Sequence, residues 1–412
     1  MLPLIGVIIS FFTIVILLSM KKSLGVAMFV GSLIVGFSST NNLTENFNSL
    51  LPTFIKGILD PIALELIILV SLVAVFGFLM KELKLLDDLI EVSRYYLSSI
   101  FFIITVIPSM IGVLPMPGGA VFSAPIIEPI GNQMEMSSAR ITSLNIYYRH
   151  LWYFIFPYMP SMIIASSLSE INVMTIALMH IPIVVIMITV GWLYFNNDKK
   201  KVIQNQINKE ADNEEVNLID AVKVLLPFVI VLIPPLIFDM SFVYPLILAI
   251  IYIILLRRDL FEWQYILAGM NLQLTVGVAG IMIFKAFIES SEGVMILTDL
   301  LINFGIPLFL LALVIPFVAG LLTGNHTGAI GISYPILLSL FNDSSMYLLW
   351  HMIIFSSSYF GYVLSPFHLC NLMTVKYFDI SLDKYYREMI VPFAGTAAGI
   401  FLLSIIYYFT II

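Results

Sequence analysis

A single cysteine, Cys370, stands among 412 residues, so no disulfide can close within the chain and cysteine usage gives no redox compartment. Charge is scarce as well: 11% of residues are charged, against about 25% in soluble domains. With 60% hydrophobic residues and a mean hydropathy of +1.04, that scarcity excludes an ordinary soluble fold and predicts an all-α polytopic membrane protein. No basic cluster exceeds Lys199-Lys200-Lys201, which argues against a nucleic-acid partner. HExxH, Walker, G-x-S-x-G and paired Cys/His metal spacings are all missing. No catalytic residue, resident metal or cofactor is therefore expected, and the chain reads as a non-enzyme. Acids within apolar stretches are too few for a pump built on a carboxylate relay. No cleavable signal stands out either, because Lys21 and Lys22 follow the first apolar run instead of preceding it. That order predicts an uncleaved first helix with the amino terminus outside.

What the chain does contain is a long series of apolar runs. A span needs about 20 such residues. Runs meeting that test cover residues 2–20, 23–38, 61–80, 141–168, 172–195, 219–238, 241–256, 270–289, 346–378 and 389–411. Two more, at 98–130 and 304–340, are apolar but broken near their middles. Each follows a mixed segment, "KELKLLDDLIEVSRYY" or "ESSEGVMILTDLLINF", whose apolar residues recur at three- and four-residue spacing, as expected of helices lying in the membrane interface. The longest polar stretch, "NNDKKKVIQNQINKEADNEEVN", divides the chain into halves, 1–195 and 219–412, around a linker at 196–218 expected to be cytoplasmic.

The halves repeat. "IPSMIGVLPMPGGA" from Ile107 aligns with "IPFVAGLLTGNHTGA" from Ile315, matching Pro108 with Pro316, Gly112 with Gly320, and Gly119-Ala120 with Gly328-Ala329. Pro125 then meets Pro335, and "YFIFP" at Tyr153 meets "YFGYVLSP" at Tyr359. Charge decides how the broken stretches run. If both are re-entrant hairpins, Lys21-Lys22, Lys81, Lys84, Arg140, Lys199–Lys201, Arg257-Arg258, Lys376, Lys384 and Arg387 all fall inside. A single crossing at each would move the middle set outside. Two crossings each would need arms that, at about 1.5 Å per residue, do not span a core of about 30 Å. The expectation is two inverted repeats, each of five transmembrane helices plus one re-entrant hairpin, with both termini outside the cell membrane.

Backbone at membrane depth is tolerated without a helix only inside protein or along a water-filled cavity, so the hairpin tips are candidate binding surfaces. The N–H groups opening each second arm, around Gly119 and Gly328, suit an anion, and the carbonyls ending each first arm, around Leu114 and Leu322, suit a cation. Tip candidates are Pro117, Gly118, Gly119 and Ser123 in the first half, and Thr323, Gly324, Asn325, His326, Thr327 and Gly328 in the second. "NIYYRHLWYFIFPYMP" sets Arg149 and His150 within an apolar helix. Arg149 there either meets an oxyanion as a bidentate fork, reaches the inner headgroups, or pairs with Glu128. In "SSSYFGYVLSPFHLCNLMT", Pro366 should break the helix and leave Ser365, His368 and Asn371 beside the break. His180 and His351 have no such setting and read as structural. Glu65 is either a proton carrier or interfacial, and Lys285 is expected to snorkel outward.

Interfacial helix, Pro/Gly-tipped hairpin and broken helix, repeated in inverted halves, resemble the ion transporter superfamily of gluconate:proton symporters, citrate transporters and divalent anion:sodium symporters. Within it, "LPMPGGAVFSAPIIEP" and "RHLWYFIFPYMPS" look most like an uncharacterised family of prokaryotic integral membrane proteins. The tips depart from the Ser-Asn-Thr motifs of the sodium-coupled symporters, being Pro-Met-Pro-Gly-Gly and Thr-Gly-Asn-His-Thr. The resemblance implies a homodimer with a mobile, hairpin-bearing bundle. Taken with the residues, it leads to the expectation of a secondary active transporter for a small anionic substrate, coupled to H+ or Na+. Alternatives are a cation:proton antiporter and a non-transporting membrane receptor or channel.

Overall fold

A computed structural model describes residues 2–96, 100–114, 120–196, 218–238, 240–293, 295–297, 300, 304, 307–341 and 346–411. All regular structure among the described residues is helical. The first half contains α1 (Leu2–Ser19), α2 (Leu24–Phe37), α3 (Leu43–Leu59), α4 (Pro61–Glu82), α5 (Leu85–Tyr96), α6 (Ile100–Gly112), α7 (Ala120–Gln133), α8 (Ser138–Arg149), α9 (Pro160–Ser169) and α10 (Val173–Phe195). The second contains α11 (Leu218–Phe238), α12 (Val243–Leu256), α13 (Gln264–Gly269), α14 (Leu272–Glu289), α15 (Leu308–Thr323), α16 (His326–Leu337), α17 (Tyr347–Leu364), α18 (Leu369–Tyr377) and α19 (Leu382–Ile411).

Seven of these helical stretches are long and apolar enough to cross a membrane, and the chain is a membrane protein by that measure. Three of the ten expected crossings are built differently. α2 and α12 have 14 residues each, a rise of about 21 Å. The stretch at 141–168 is divided into α8 and α9 by a 3-10 turn, Leu151–Phe154, and by non-helical residues up to Met159. One segment between the expected spans, at Leu43–Leu59, is a helix as well. In α3, Asn42 accepts N–H bonds from Thr44 and Glu45, so "NNLTENFNS" supplies a cap and a first turn. The other starts obey similar chemistry: Asp60 caps α4 ahead of Pro61, Ser137 caps α8, Asn172 caps α10 and Asn271 caps α14.

Packing joins the halves in matched pairs. α14 lies on α2 and α3, while α4 lies on α12 and α13. α4 also meets α14, and α10 meets α19. Around the broken stretches, α6 packs on α7 and α8, and α15 packs on α16 and α17. The returning arms exchange partners: α7 rests against α18, and α16 rests against α9. The shared glycines are explained by this arrangement. A Cβ on Gly320 would lie 2.5 Å from the Ser358 carbonyl, so α15 and α17 meet backbone to backbone. Gly112 holds the equivalent contact between α6 and the end of α8.

Candidate functional site

Two interrupted helices meet in the interior. α8 ends at Arg149, and His150 is its C-cap. α17 ends at Leu364, after which Ser365, Pro366 and Phe367 carry the chain to His368, the N-cap of α18. The break thus falls at Pro366, whose ring and missing N–H prevent continuation. The ring centroids of His150 and His368 are 4.9 Å apart, and Tyr362 lies 4.2 Å from His368. Tyr153 joins them, its hydroxyl 3.2 Å from that of Tyr362. His326, from the start of α16, stacks on Tyr362 at 5.7 Å and 16°, and its Nε2 is 3.0 Å from Ser358 Oγ. Side chains from both halves, and His326 from the turn into α16, therefore converge.

Polarity is concentrated in this interior. All five histidines are buried, Arg149 is 3% exposed, and the buried polar set among the described residues contains no Asp or Glu. Arg149 Nη2 donates to the Leu114 carbonyl at 3.4 Å, so a cation does meet the carbonyl end of the first arm, and it is the protein's own. Glu128 is engaged elsewhere, accepting from the Tyr377 hydroxyl at 2.8 Å. His150 Nδ1 lies 2.6 Å from the Ile146 carbonyl, which fixes that nitrogen as the N–H donor and leaves Nε2 as an acceptor. Its Nε2 is 3.4 Å from the Tyr362 hydroxyl, and the Tyr359 hydroxyl donates to the His150 carbonyl at 3.3 Å.

The tip residues are held largely by one another. Gly324 is in the left-handed region at φ +60°, the one glycine whose freedom this turn demands. Asn325 Oδ1 accepts from the Gly328 N–H at 3.1 Å, so the donor expected to face an anion is already capped. Thr323 Oγ1 donates to the Asn325 carbonyl at 3.3 Å, and Thr327 is buried at 8%. Ser365 Oγ donates to the Leu321 carbonyl at 2.6 Å, tying the second break to the second hairpin. Ser123 Oγ donates to Asn145 Oδ1 at 2.6 Å, while Asn145 Nδ2 donates to the Ala120 carbonyl at 2.8 Å. Pro117, Gly118 and Gly119 lie outside the described residues.

His180 lies against the first break, its Nδ1 3.2 Å from the Phe154 carbonyl, and its ring stacks on that of His351 at 6.0 Å. Lys285 pairs with Glu289 at 3.7 Å. Glu65 accepts from Ser241 on the rim of a cavity of about 420 Å³ whose lining also includes Pro157, Ser166, Ser167 and Asn172. Pro157 belongs to the first break, so this cavity runs from the α4–α12 side to the interruption between α8 and α9. Sequence reasoning missed Tyr362, Asn145 and Cys370. The last belongs to a group of three side chains, His150, His368 and Cys370, whose ligand atoms all lie within 4.8 Å of one another. His-x-Cys at 368–370 in a chain with one cysteine was the available signal; His150 reaches it only through the fold.

Residues 4–409 match the model of a family described as "Protein of unknown function (DUF401)", and the chain belongs to that family. No curated protein matches it.

Proposed function

We propose that this member of the family is a secondary active transporter of a small organic anion, a carboxylate, coupled to protons or sodium. The observation that carries this reading is the burial of Arg149 beside the meeting point of two interrupted helices. A guanidinium at membrane depth is expensive unless it serves a substrate or a water-filled path, and its fork matches a carboxylate. The cavity lined by Glu65 and Pro157 abuts the same break that begins after Arg149. The matched packing of α7 on α18 and α16 on α9, and of α14 on α2 and α4 on α12, supports two inverted repeats. In this reading α6–α10 and α15–α19 form the moving, elevator-like bundle, and α1–α4 with α11–α14 form the frame and the homodimer contact. His150, His326 and His368 are the candidate proton carriers, since histidine is the side chain suited to exchange a proton near neutral pH.

A thermal-stability screen of the purified protein against organic acids, with and without sodium at two pH values, tests it. A saturating substrate at about 100 times its Kd stabilises by about 2.7 kcal/mol. The Arg149→Gln variant should fold and lose that shift. Normal binding and uptake by Arg149→Gln would overturn the reading. Vesicles that carry out pH-dependent cation flux with no organic solute would favour a cation:proton antiporter instead.

A further inference from the structure

We propose that His150, His368 and Cys370 form a binding site for a thiophilic d10 metal cation, with monovalent copper the favoured ion. The three ligand atoms come from both interrupted helices and lie within 4.8 Å of one another, all buried. Metal–nitrogen bonds of about 2.0 Å and a metal–sulfur bond of about 2.3 Å place ligand atoms about 3.3–3.8 Å apart. The cluster therefore closes on an ion through a movement of about 1 Å.

His150 is already oriented as a ligand. Metal-bound histidines hold the ring by donating the other N–H to a carbonyl or carboxylate, and His150 Nδ1 does this with the Ile146 carbonyl at 2.6 Å. Its Nε2 lone pair, 3.4 Å from the Tyr362 hydroxyl, also has Cys370 within hydrogen-bonding reach. A thiol–imidazole hydrogen bond alone would account for those two residues but not for His368. That ring is 2% exposed, and neither of its nitrogens makes a hydrogen bond, although the Val363 carbonyl and Asn371 are polar neighbours. Two bare ring nitrogens inside a membrane protein are a cost that a metal ligand role removes. Turning the ring toward the other two ligands gives up only its approaches to the Val363 carbonyl and Asn371, neither of which has full hydrogen-bond geometry.

Donor chemistry and charge select the ion. Thiolate with two imidazoles suits Cu+ or Zn2+ and excludes the hard, oxygen-seeking Mg2+ and Ca2+. Zinc wants a fourth ligand, whereas Cu+ is satisfied by three. Thiolate plus Cu+ is neutral, while thiolate plus Zn2+ leaves a second positive charge near Arg149. Binding releases the Cys370 thiol proton to solvent and changes no oxidation state: Cu+ enters and Cu+ remains. Because His150 belongs to the first half and the other two ligands to the second, the bound ion would tie the two halves together.

The test uses the full-length protein in detergent, titrated anaerobically with Cu+ against a chromogenic Cu+ chelator, with Zn2+ in a parallel series. The expected result is one Cu+ per chain, X-ray absorption showing one sulfur and two nitrogen neighbours, and a higher melting temperature with the ion bound. Cys370→Ala and His368→Gln should each weaken binding by about 100-fold or more. Metal-free melting curves of both variants confirm that they fold, and His351→Gln, outside the cluster, should bind as the parent does. Absence of Cu+ binding, binding unchanged in both ligand variants, or uptake of Zn2+ alone overturns the proposal. The outcome is distinguishable from that of the transport reading, with which this site shares His150 and His368: a protein that binds copper but no organic acid retains this site and loses that function.

Discussion

The Cα of Gly112 lies against the carbonyl of Arg149, so closely that a Cβ built there would fall 1.9 Å from the oxygen. A backbone oxygen cannot give way as a flexible side chain can. Gly112→Ala is expected to lower stability by about 2–3 kcal/mol and to displace Arg149. Gly361, whose Cβ would fall 2.0 Å from the Phe317 carbonyl, should behave alike. Gly328→Ala is the control: its nearest neighbour is the Leu24 side chain at 3.2 Å, and the change should be near neutral. Melting temperatures in one detergent decide this, and equal losses at 112 and 328 would contradict it.

Gly324 combines two requirements, a φ of +60° and contact with the Phe367 backbone, 2.7 Å from its would-be Cβ. Gly324→Ala should cost about 2–4 kcal/mol, more than the conformational penalty of about 1 kcal/mol alone. Asparagine tolerates that φ but not the contact, so Gly324→Asn should be no better. Recovery of stability with asparagine would show that the turn, and not the contact with Phe367, sets the requirement.

Asn371 sews the second break shut. Its amide donates to the Val363 carbonyl at 2.7 Å and the Ser365 carbonyl at 3.1 Å, and it accepts from the Tyr385 hydroxyl at 3.0 Å. Asn371→Ala leaves several buried groups unmatched and should destabilise by about 2–3 kcal/mol, against about 1 kcal/mol for Tyr385→Phe. Hydrogen exchange should rise at 364–369 in the first variant and stay low there in the second.

Arg140 links α8, α10 and α19. It donates to the Tyr194 carbonyl at 2.6 Å, pairs with Glu388 at 3.5 Å, and lies 4.7 Å over the Tyr194 ring. Tyr194 in turn donates to Glu388 at 2.9 Å. Arg140→Ala should cost about 2 kcal/mol, because packing and a backbone acceptor are lost along with charge. Glu388→Gln keeps a hydrogen-bond acceptor and should change the melting temperature by less than half as much.

The broken stretches were legible because proline and glycine in an apolar run leave a clear signature, and Pro366 lies where α17 stops. Arg149 and His150 were legible because a charge in such a run is rare. α3 was not, since its polar first turn, Asn42 to Asn46, resembles a loop until the stripe of Leu43, Phe47, Leu51, Ile55 and Leu59 is seen at four-residue spacing, all of it exposed. The role of Gly112 was half visible: the repeat marked it, but its partner, the Arg149 carbonyl, is a contact 37 positions away in sequence that only packing reveals. Cys370 was hidden for the same reason, since His150 comes from the other half.

The exchange of partners between returning arms, α7 onto α18 and α16 onto α9, has a consequence for biosynthesis. As the chain leaves the ribosome, α7 finds α6 and α8 but lacks α18 until residue 377 has been made, so the first hairpin must wait in the membrane, half-assembled. Neither half can mature alone. A gene cut within 197–217 should yield stable protein only when both fragments are produced in the same cell, each acting as the other's scaffold.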